Sequence, residues 1–349
     1  MTPKTSRFLL TCISAYALII AALTLLNRLG PERWWFSAMN LYLPQVFWLI
    51  PGVILTAICL VSVRRWTWVP LLCVGWVAGP IMGFCWSTHG SQQTTGNASL
   101  RIMTWNSKYG LHGNLAHRAL EYDIDEYRPD ILLFQDANGL LDGTLGRYFQ
   151  KWHTYTDSQF VIASRFPLTG VEVRSLKLPW EQMTCLRCQV RIGPTVITVY
   201  NVHLESPRHG LNAIRAARKQ PWYLPKAIQQ LEGNVYTRLT QARILRDFIL
   251  RERGPVIVAG DLNSPDSSLV CAELRDVGLH DAFAEGGRGY GYTYGHFLLK
   301  NRLPRLRISW MRIDHILMSS QFETVRAWTG TGEASDHRPV IADIFLKQP

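Results

Sequence analysis

One segment joins a buried strand to a polar end: Pro255-Val256-Ile257-Val258-Ala259-Gly260-Asp261-Leu262-Asn263-Ser264. Its apolar, mostly β-branched residues predict a strand that is buried on both faces, as in the interior of a sheet. Because side chains alternate along an extended chain, Asp261 and Asn263 point to the same side and can reach one bound group. The same residues also suit a turn that caps a helix. The rest of the chain decides between these two interpretations.

Polar side chains recur at the ends of the predicted strands or in the adjoining loops, at six places after residue 100. They are Asn106, Asp136, His203, Asp261 with Asn263, Asp314, and Asp336 with His337. Oxygen ligands of this kind suit Mg²⁺ or Mn²⁺ rather than zinc. Such a metal would neutralise a substrate phosphate and stabilise charge on a leaving oxygen. The two imidazoles would supply proton transfer or hydrogen bonds to the phosphoryl oxygens.

The motifs that carry these residues resemble, in order, those of the endonuclease/exonuclease/phosphatase family, which includes deoxyribonuclease I. They are Thr104-Trp105-Asn106, Leu133-Phe134-Gln135-Asp136, Tyr200-Asn201-Val202-His203-Leu204, Gly260-Asp261-Leu262-Asn263, Arg312-Ile313-Asp314-His315 and Ser335-Asp336-His337-Arg338-Pro339. The resemblance spans residue 100 to the C terminus. It implies an α/β fold, a two-sheet β-sandwich flanked by helices as in deoxyribonuclease I. It also implies hydrolysis of a phosphoester with Mg²⁺ or Mn²⁺ as cofactor, the metal being held by Asn106 and Asp136 with Asp336 close to it.

The same resemblance implies roles for the remaining polar residues. Asp261 would align or activate the attacking water, and Asn263 and His203 would contact the phosphate. His337, oriented by Asp314, would serve as the acid/base or as a stabiliser of the transition state.

Two positions depart from the family pattern. Asp136 stands where the family normally has Glu, so its shorter arm must reach the metal through a shifted backbone or a water. Lys108 stands where the apurinic-endonuclease branch usually has an acidic residue, which counts against that branch and puts a cation near the phosphate. The altered ligand also motivates a second hypothesis, a catalytically impaired family member that acts as a membrane-bound binding protein.

The resemblance implies a phosphoester substrate, either nucleic acid or a phospholipid headgroup, and it implies no protein partner. Besides Lys108, the candidate substrate-binding residues are Arg208, in an Arg-rich segment, and Tyr292, in a loop that alternates tyrosine with glycine. Basic and aromatic residues together can follow a nucleic-acid strand. They can equally hold a lipid phosphate at a membrane surface. A solvated basic helix beside an ordinary loop has the same composition.

The N-terminal quarter is strongly apolar and predicts a membrane region over residues 1–86, with three transmembrane helices at about 8–26, 41–63 and 66–86. Each run is long enough to cross a bilayer core of ~30 Å. A polar segment without aliphatic periodicity, residues 87–99, predicts a flexible linker to a domain over 100–349. The alternative is a cleaved signal peptide followed by buried helices.

Cations in the short loops predict the orientation of this membrane region. Four cations lie on one side and two on the other, which favours a cytoplasmic N terminus and an extracytoplasmic catalytic domain in the plasma or inner membrane. The four are Lys4, Arg7, Arg64 and Arg65, and the two are Arg28 and Arg33. Of the net charge of +11, +6 remains for the residues after Ser87 and would attract anionic lipid or nucleic acid.

Overall fold

The computed structural model describes residues 3–87, 100–108, 114–176, 183–295, 308–332 and 334–347, apart from the side chains of 114–117 and 144. Its α-helices are α1 Pro3–Leu29, α2 Trp35–Leu41, α3 Leu49–Ser62, α4 Trp68–Trp76, α5 Asn114–Tyr127, α6 Thr144–Tyr148, α7 Arg208–Ala217, α8 Leu224–Ile249, α9 Leu269–Arg275 and α10 Ala282–Gly286. Its strands are β1 Cys85–Trp86, β2 Leu100–Asn106, β3 Ile131–Gln135, β4 His153–Asp157, β5 Phe160–Ser164, β6 Leu168–Ser175, β7 Thr184–Ile192, β8 Thr195–His203, β9 Val256–Asp261, β10 His280–Asp281, β11 Arg288–Gly289, β12 Asp314–Met318, β13 Phe322–Thr329 and β14 Val340–Leu346.

The chain divides into two compact units, one of Met1–Phe84 with Ser267–Leu269 and one of Cys85–Asp266 with Val270–Pro349. The first unit contains the apolar N-terminal helices. Within the described residues, two helical segments are long and apolar enough to cross a membrane, Lys4–Leu29 and Gln45–Ser62. The predicted linker, apart from residue 87, lies outside the described residues.

The third apolar run, predicted as a span over 66–86, does not form one continuous α-helix. It begins as the nine-residue helix α4 and continues as a π-helical turn over Val77–Ile81 that contains Pro80. Proline has no N–H for the helical ladder and its ring crowds the preceding turn, so the α-helix ends before it. Cys85 and Trp86 then form the short strand β1, which pairs with β11.

Two six-stranded mixed sheets form the second unit. One has the strand order β10-β12-β9-β8-β7-β6 and the other has the order β13-β14-β2-β3-β5-β4. Each sheet has a parallel pair at its centre, β8 with β9 and β2 with β3, and its other pairs are antiparallel. This is the predicted two-sheet sandwich.

The two sheets pack face to face, and helices cover their outer faces. Leu133 of β3 and Val199 of β8 belong to one apolar cluster between the sheets, together with Ile257 of β9. The outer face of β8 and β9 packs on α8 and α9, and the outer face of β2 and β3 packs on α5 and α6. Because β9 is covered on both sides, all six of its residues are buried, as the sequence predicted.

A polar bridge crosses the otherwise apolar interior where β3 ends. Gln135 Nε2 donates to Asn201 Oδ1 at 2.6 Å, and Asn201 Nδ2 donates to the Phe134 carbonyl at 2.9 Å. Buried amides of this kind must be paired, because an unmet donor costs about 1–3 kcal/mol. The bridge therefore fixes how the ends of β3 and β8 face each other.

The sequence pattern predicts the central elements but not all the peripheral ones. The amphipathic spacing over 238–252 predicts a helix, but this helix begins at Leu224, because packing of buried Leu231 and Val235 outweighs the weak helix propensity of Gly233 and Asn234. The edge strands β4 and β13 were not predicted, because a partly exposed strand has no continuous apolar run.

Gly260 determines how β9 delivers its polar end. It has φ +148°, and a Cβ there would lie 1.9 Å from the Val202 carbonyl oxygen of the neighbouring strand. Only glycine avoids both the backbone strain and this collision. The close approach of β8 and β9 sets Asp261 opposite His203 in the strand register.

We expect Gly260→Ala to lower the free energy of unfolding by roughly 2–4 kcal/mol, from backbone strain and overpacking together. The measurement is the thermal or urea midpoint of the purified chain, followed by tryptophan fluorescence. Gly254→Ala is the matched control, since a Cβ at Gly254 meets only the Val196 carbonyl at 3.6 Å. Equal midpoints for the two variants would contradict the packing described for β9.

Candidate active site

The predicted site residues of four strands meet at one edge of the sandwich. The parallel pairs bring the carboxyl ends of β2 and β3 together, and likewise those of β8 and β9. Strand β12 runs antiparallel to β9, so its first residue, Asp314, lies opposite Asp261. The two sheets thus contribute Asn106, His203, Asp261 and Asp314 to the same place.

Asp261 is the centre of the cluster and is 1% exposed. Its Oδ2 accepts a hydrogen bond from Asn106 Nδ2 at 2.9 Å, and its Oδ1 accepts one from the Asn263 backbone N–H at 2.8 Å. Two imidazoles approach the same Oδ2, His203 Nε2 at 3.6 Å and His337 Nε2 at 3.7 Å. Burial, and next the nearby charge of Asp314, raise the pKa of Asp261 above its ordinary value.

His337 is held as a cation. Its Nδ1 donates to Asp314 Oδ2 at 2.9 Å, while the Asp314 side chain is completely buried. Burial alone lowers the pKa of His337, but the charges of Asp314 and Asp261 outweigh burial and raise this pKa to about 9. At neutral pH the Nε2–H of His337 is therefore a charged donor that lies beside Asp261.

Asn263 and His203 are both anchored at this edge. The Asn263 side chain donates to the Leu204 carbonyl at 2.8 Å, and its backbone is left-handed, with φ 49°. His203 Nδ1 lies 2.6 Å from Gln159 Oε1, which fixes the plane of the imidazole. The sequence analysis did not identify Gln159, because it lies in the turn before β5 and belongs to no family motif.

Asp136 and Lys108 form an ion pair, with Lys108 Nζ 2.9 Å from Asp136 Oδ2. Asp136 Oδ1 also lies 3.7 Å from His203 Nδ1. Burial would raise the pKa of Asp136, but the neighbouring imidazole and the hydrogen bond from Lys108 outweigh it, so this pKa is below its ordinary value. Asp136 is therefore a carboxylate beside the cluster, and it already has a cation.

Asp336 and Arg208 lie on the other flank. Arg208 donates to Tyr294 Oη at 2.8 Å and to Asp336 Oδ2 at 3.3 Å. The Tyr294 ring lies 4.8 Å from the His337 ring, so the tyrosine that borders the cluster is Tyr294. The predicted Tyr292 stacks on Tyr290 instead, with ring centroids 5.1 Å apart and an interplanar angle of 14°. Tyr290, Tyr292 and Tyr294 have the same spacing in the sequence, so the pattern alone does not indicate which tyrosine borders the cluster.

The ligand atoms at this edge of the sandwich suit a hard divalent cation. They are carboxylate and amide oxygens, the kind that Mg²⁺ and Mn²⁺ prefer. Asp336 Oδ1 is buried and accepts no hydrogen bond within the described part of the chain, and His337 Nε2 lies 3.9 Å from it. A buried carboxylate oxygen without a hydrogen bond is costly, and a cation in direct contact would stabilise it. Asp261, Asp314 and His337 also offer ligand atoms that all lie within 4.8 Å of one another.

A second acidic cluster, Asp266, Asp281 and His315, has a structural character. Arg312 pairs with Asp281 at 2.7 Å and with Asp266 at 3.2 Å, and His315 Nδ1 lies 2.8 Å from Asp281 Oδ2. Arg312 therefore already compensates the charge of these carboxylates. Its ion pairs hold the segment that precedes β12, and they thereby help to position Asp314.

We expect Asp314→Asn to lower the pKa of His337 from about 9 toward its ordinary 6.5, because the substitution removes the main charge that stabilises the imidazolium. The measurement is an NMR titration of the imidazole Cε1–H. Asp276→Asn, at an exposed carboxylate outside the cluster, is the control. An unchanged His337 titration in the Asp314 variant would refute the pairing.

Comparison with known proteins agrees with this architecture. The sequence profile of the Endonuclease/Exonuclease/phosphatase family matches residues 103–337. The solved structure of truncated TDP2 from Caenorhabditis elegans has a TM-score of 0.51 at 20% identity, covering 71% of this chain and 98% of that chain. An endonuclease/exonuclease/phosphatase family protein from Leptotrichia buccalis has a TM-score of 0.52 at 13% identity, covering 71% and 100%.

A further family protein, from Bacteroides thetaiotaomicron, has a TM-score of 0.52 at 14% identity, covering 72% of this chain and 96% of that chain. At these identities the likeness establishes the fold. A comparison with curated protein sequences gave no match. Because the family profile covers most of the second unit and its motifs meet at one edge of the sandwich, the chain belongs to the endonuclease/exonuclease/phosphatase family, a group of phosphoesterases and nucleases.

Proposed function

We propose that the chain is a divalent-metal-dependent phosphodiesterase whose active site is the cluster around Asp261. The observation that carries this proposal is the pairing of a buried carboxylate with a charged imidazole, Asp261 Oδ2 and His337 Nε2, at 3.7 Å. A carboxylate can take a proton from water, and a charged imidazole can stabilise a phosphoryl oxygen.

Asp261 is assigned as the residue that orients and deprotonates the attacking water. Its raised pKa makes it a better base than an exposed carboxylate. The new bond forms between the water oxygen and phosphorus, the bond from phosphorus to the leaving oxygen breaks, and the water proton passes to Asp261. Asn106 and the Asn263 N–H hold the carboxylate in position throughout.

His337 is assigned as the main electrostatic stabiliser, with Asp314 keeping it charged and oriented. The Nε2–H would donate to a phosphoryl oxygen as negative charge develops there. His203 and the side chain of Asn263 would supply further contacts to the phosphate. Their anchors, Gln159 and the Leu204 carbonyl, leave these side chains little freedom to reorient.

Asn106, Asp136 and Asp336 are the residues that would hold the metal, Mg²⁺ or Mn²⁺. When bound, the ion would stabilise charge on the leaving oxygen and neutralise the phosphate. Two observations support this assignment. Asp336 Oδ1 accepts no hydrogen bond within the described residues, and the candidate ligand atoms are mostly oxygens.

A nucleic-acid strand is the substrate that the flanking residues favour. Arg208 lies at the rim with about half of its side chain exposed, 48%, and can meet a backbone phosphate. The stacked pair Tyr290 and Tyr292 offers a flat aromatic surface of the kind on which bases stack. Lys108 would add a cation on the opposite flank.

A phospholipid headgroup is the second candidate, and the apolar helices favour it. We infer that Lys4–Leu29 and Gln45–Ser62 anchor the chain in a membrane. An anchored enzyme meets lipid phosphates at high local concentration. A panel of plasmid DNA, single-stranded DNA, RNA, sphingomyelin and glycerophospholipid, assayed with the full chain in vesicles, separates the two candidates.

We expect the full chain to hydrolyse bis-(p-nitrophenyl) phosphate with Mg²⁺ or Mn²⁺, and Asp261→Ala and His337→Ala each to reduce turnover by about 10²–10³. The loss of one positioned base or electrostatic group typically lowers turnover by this factor. Asp276→Ala is the control. No metal-dependent turnover by the wild type would favour instead a membrane-bound binding protein with an impaired site.

We expect Arg208→Ala to raise KM by on the order of tenfold and to change kcat less, because a rim cation binds substrate and transition state alike. Steady-state kinetics on the best substrate of the panel would measure both constants. Arg218→Ala, an exposed arginine beyond the end of the same helix, serves as the control. If Arg208→Ala lowered kcat and left KM unchanged, the assignment of Arg208 as a substrate-binding residue would be wrong.

A further inference from the structure

The geometry points to Lys108 as a built-in cation that competes with the divalent metal for its ligands. This chain departs from the family pattern at two positions, Lys108 and Asp136. Their side chains form an ion pair with each other. This inference rests on the ligands assigned in the proposed function, and it adds a residue that sets how tightly the metal is held.

Lys108 engages a side-chain oxygen of each of two assigned metal ligands, Asn106 and Asp136. Its backbone N–H donates to Asn106 Oδ1 at 3.2 Å, and its ammonium donates to Asp136 Oδ2 at 2.9 Å. An amide oxygen has two lone pairs, so the neutral N–H can stay in place beside a metal, whereas the positive ammonium repels a divalent ion at the same carboxylate. The ammonium is therefore the group that competes with the metal.

The backbone holds this arrangement in place. Lys108 and Asp136 have left-handed backbones, with φ 51° and 49°, which is uncommon for residues other than glycine. Ser107 joins the two segments, because its N–H donates to the Gln135 carbonyl at 2.9 Å and its hydroxyl donates to the Asp136 carbonyl at 3.3 Å. The strand ends thus turn toward each other as a unit.

The charges of the cluster explain why this cation matters. The two carboxylates assigned to the metal each have a permanent cation: Asp336 has Arg208 and Asp136 has Lys108. An incoming divalent ion therefore meets carboxylates whose negative charge is already partly compensated. Removing the Lys108 ammonium would leave Asp136 without this partner and take away a nearby repulsion.

The Lys108 side chain can leave without disturbing the core. It is 26% exposed, and Asp136 is 30% exposed, so the pair borders solvent. A four-carbon stem lets the ammonium move into water when a metal takes its place. Metal binding then includes the cost of breaking this ion pair, and the metal is held more weakly than the same ligands would hold it alone.

The test is isothermal titration calorimetry of the full chain in detergent with MnCl₂. We expect Lys108→Met to lower the Kd for Mn²⁺ by on the order of tenfold, the lower end of the range for residues that contact metal ligands. Lys108→Arg, which keeps the charge, should stay near the wild type. Lys226→Met makes the same chemical change on an exposed part of α8 and should have no effect. Unchanged or weaker Mn²⁺ binding in Lys108→Met would overturn the inference.

A double-mutant cycle shows whether Lys108 acts through Asp136. Asp136→Ala should weaken Mn²⁺ binding, and Lys108→Met should give little further gain when Asp136 is absent. A full gain in the Asp136→Ala background would mean a general charge effect and would overturn the pairing mechanism. These Mn²⁺ affinities are measured without substrate. They therefore test the role of Lys108 independently of turnover, which tests the proposed function.

Discussion

The hydrogen bond from Asn106 Nδ2 to Asp261 Oδ2, 2.9 Å long, joins the two sheets at the edge where the site lies. Each partner is the last residue of a central strand, one in each sheet. A buried carboxylate loses its hydration and is stable as an anion only where donors and positive charge replace the water. The Asn263 N–H supplies a second hydrogen bond to Asp261, and the imidazolium of His337 supplies the positive charge. The packing of the sandwich and the chemistry of the site therefore depend on the same contact.

The site balances burial against charge. Asp314 and Asp261 are almost completely buried, and between them they keep His337 protonated. On the more exposed flanks, Lys108 and Arg208 neutralise the carboxylates assigned to the metal. The site therefore has positive side chains that can meet a phosphate. The two residues that depart from the family pattern, Asp136 and Lys108, form one ion pair.

Much of the fold and the cluster was predictable from the sequence, because both depend on local patterns. The buried run before Asp261 predicted a central strand, and the recurrence of polar residues at strand ends predicted that they would meet. The resemblance to the family supplied the sandwich and the roles. The buried strand and its polar end need only strand periodicity, whereas the sandwich and the roles needed the resemblance.

What the sequence did not reveal depends on contacts between distant residues. Gln159 fixes His203 from a turn, and Tyr294 borders His337. Neither pairing has a spacing that a single sequence displays. The ion pair of Lys108 with Asp136 was hidden for the same reason, although each residue had been singled out. The third apolar run was predicted as one helix because hydropathy does not register the break before Pro80.

The cluster around Asp261 is the proposed metal-dependent active site. The most direct measurement is a crystal structure of the chain with Mn²⁺ and inorganic phosphate, in which anomalous scattering locates the ion. We predict a Mn²⁺ peak about 2.1–2.3 Å from oxygens of Asn106, Asp136 or Asp336, with phosphate in contact with His203, Asn263 or His337. A Mn²⁺ ion bound only at Asp266 and Asp281, or a phosphate bound away from this edge, would contradict the account.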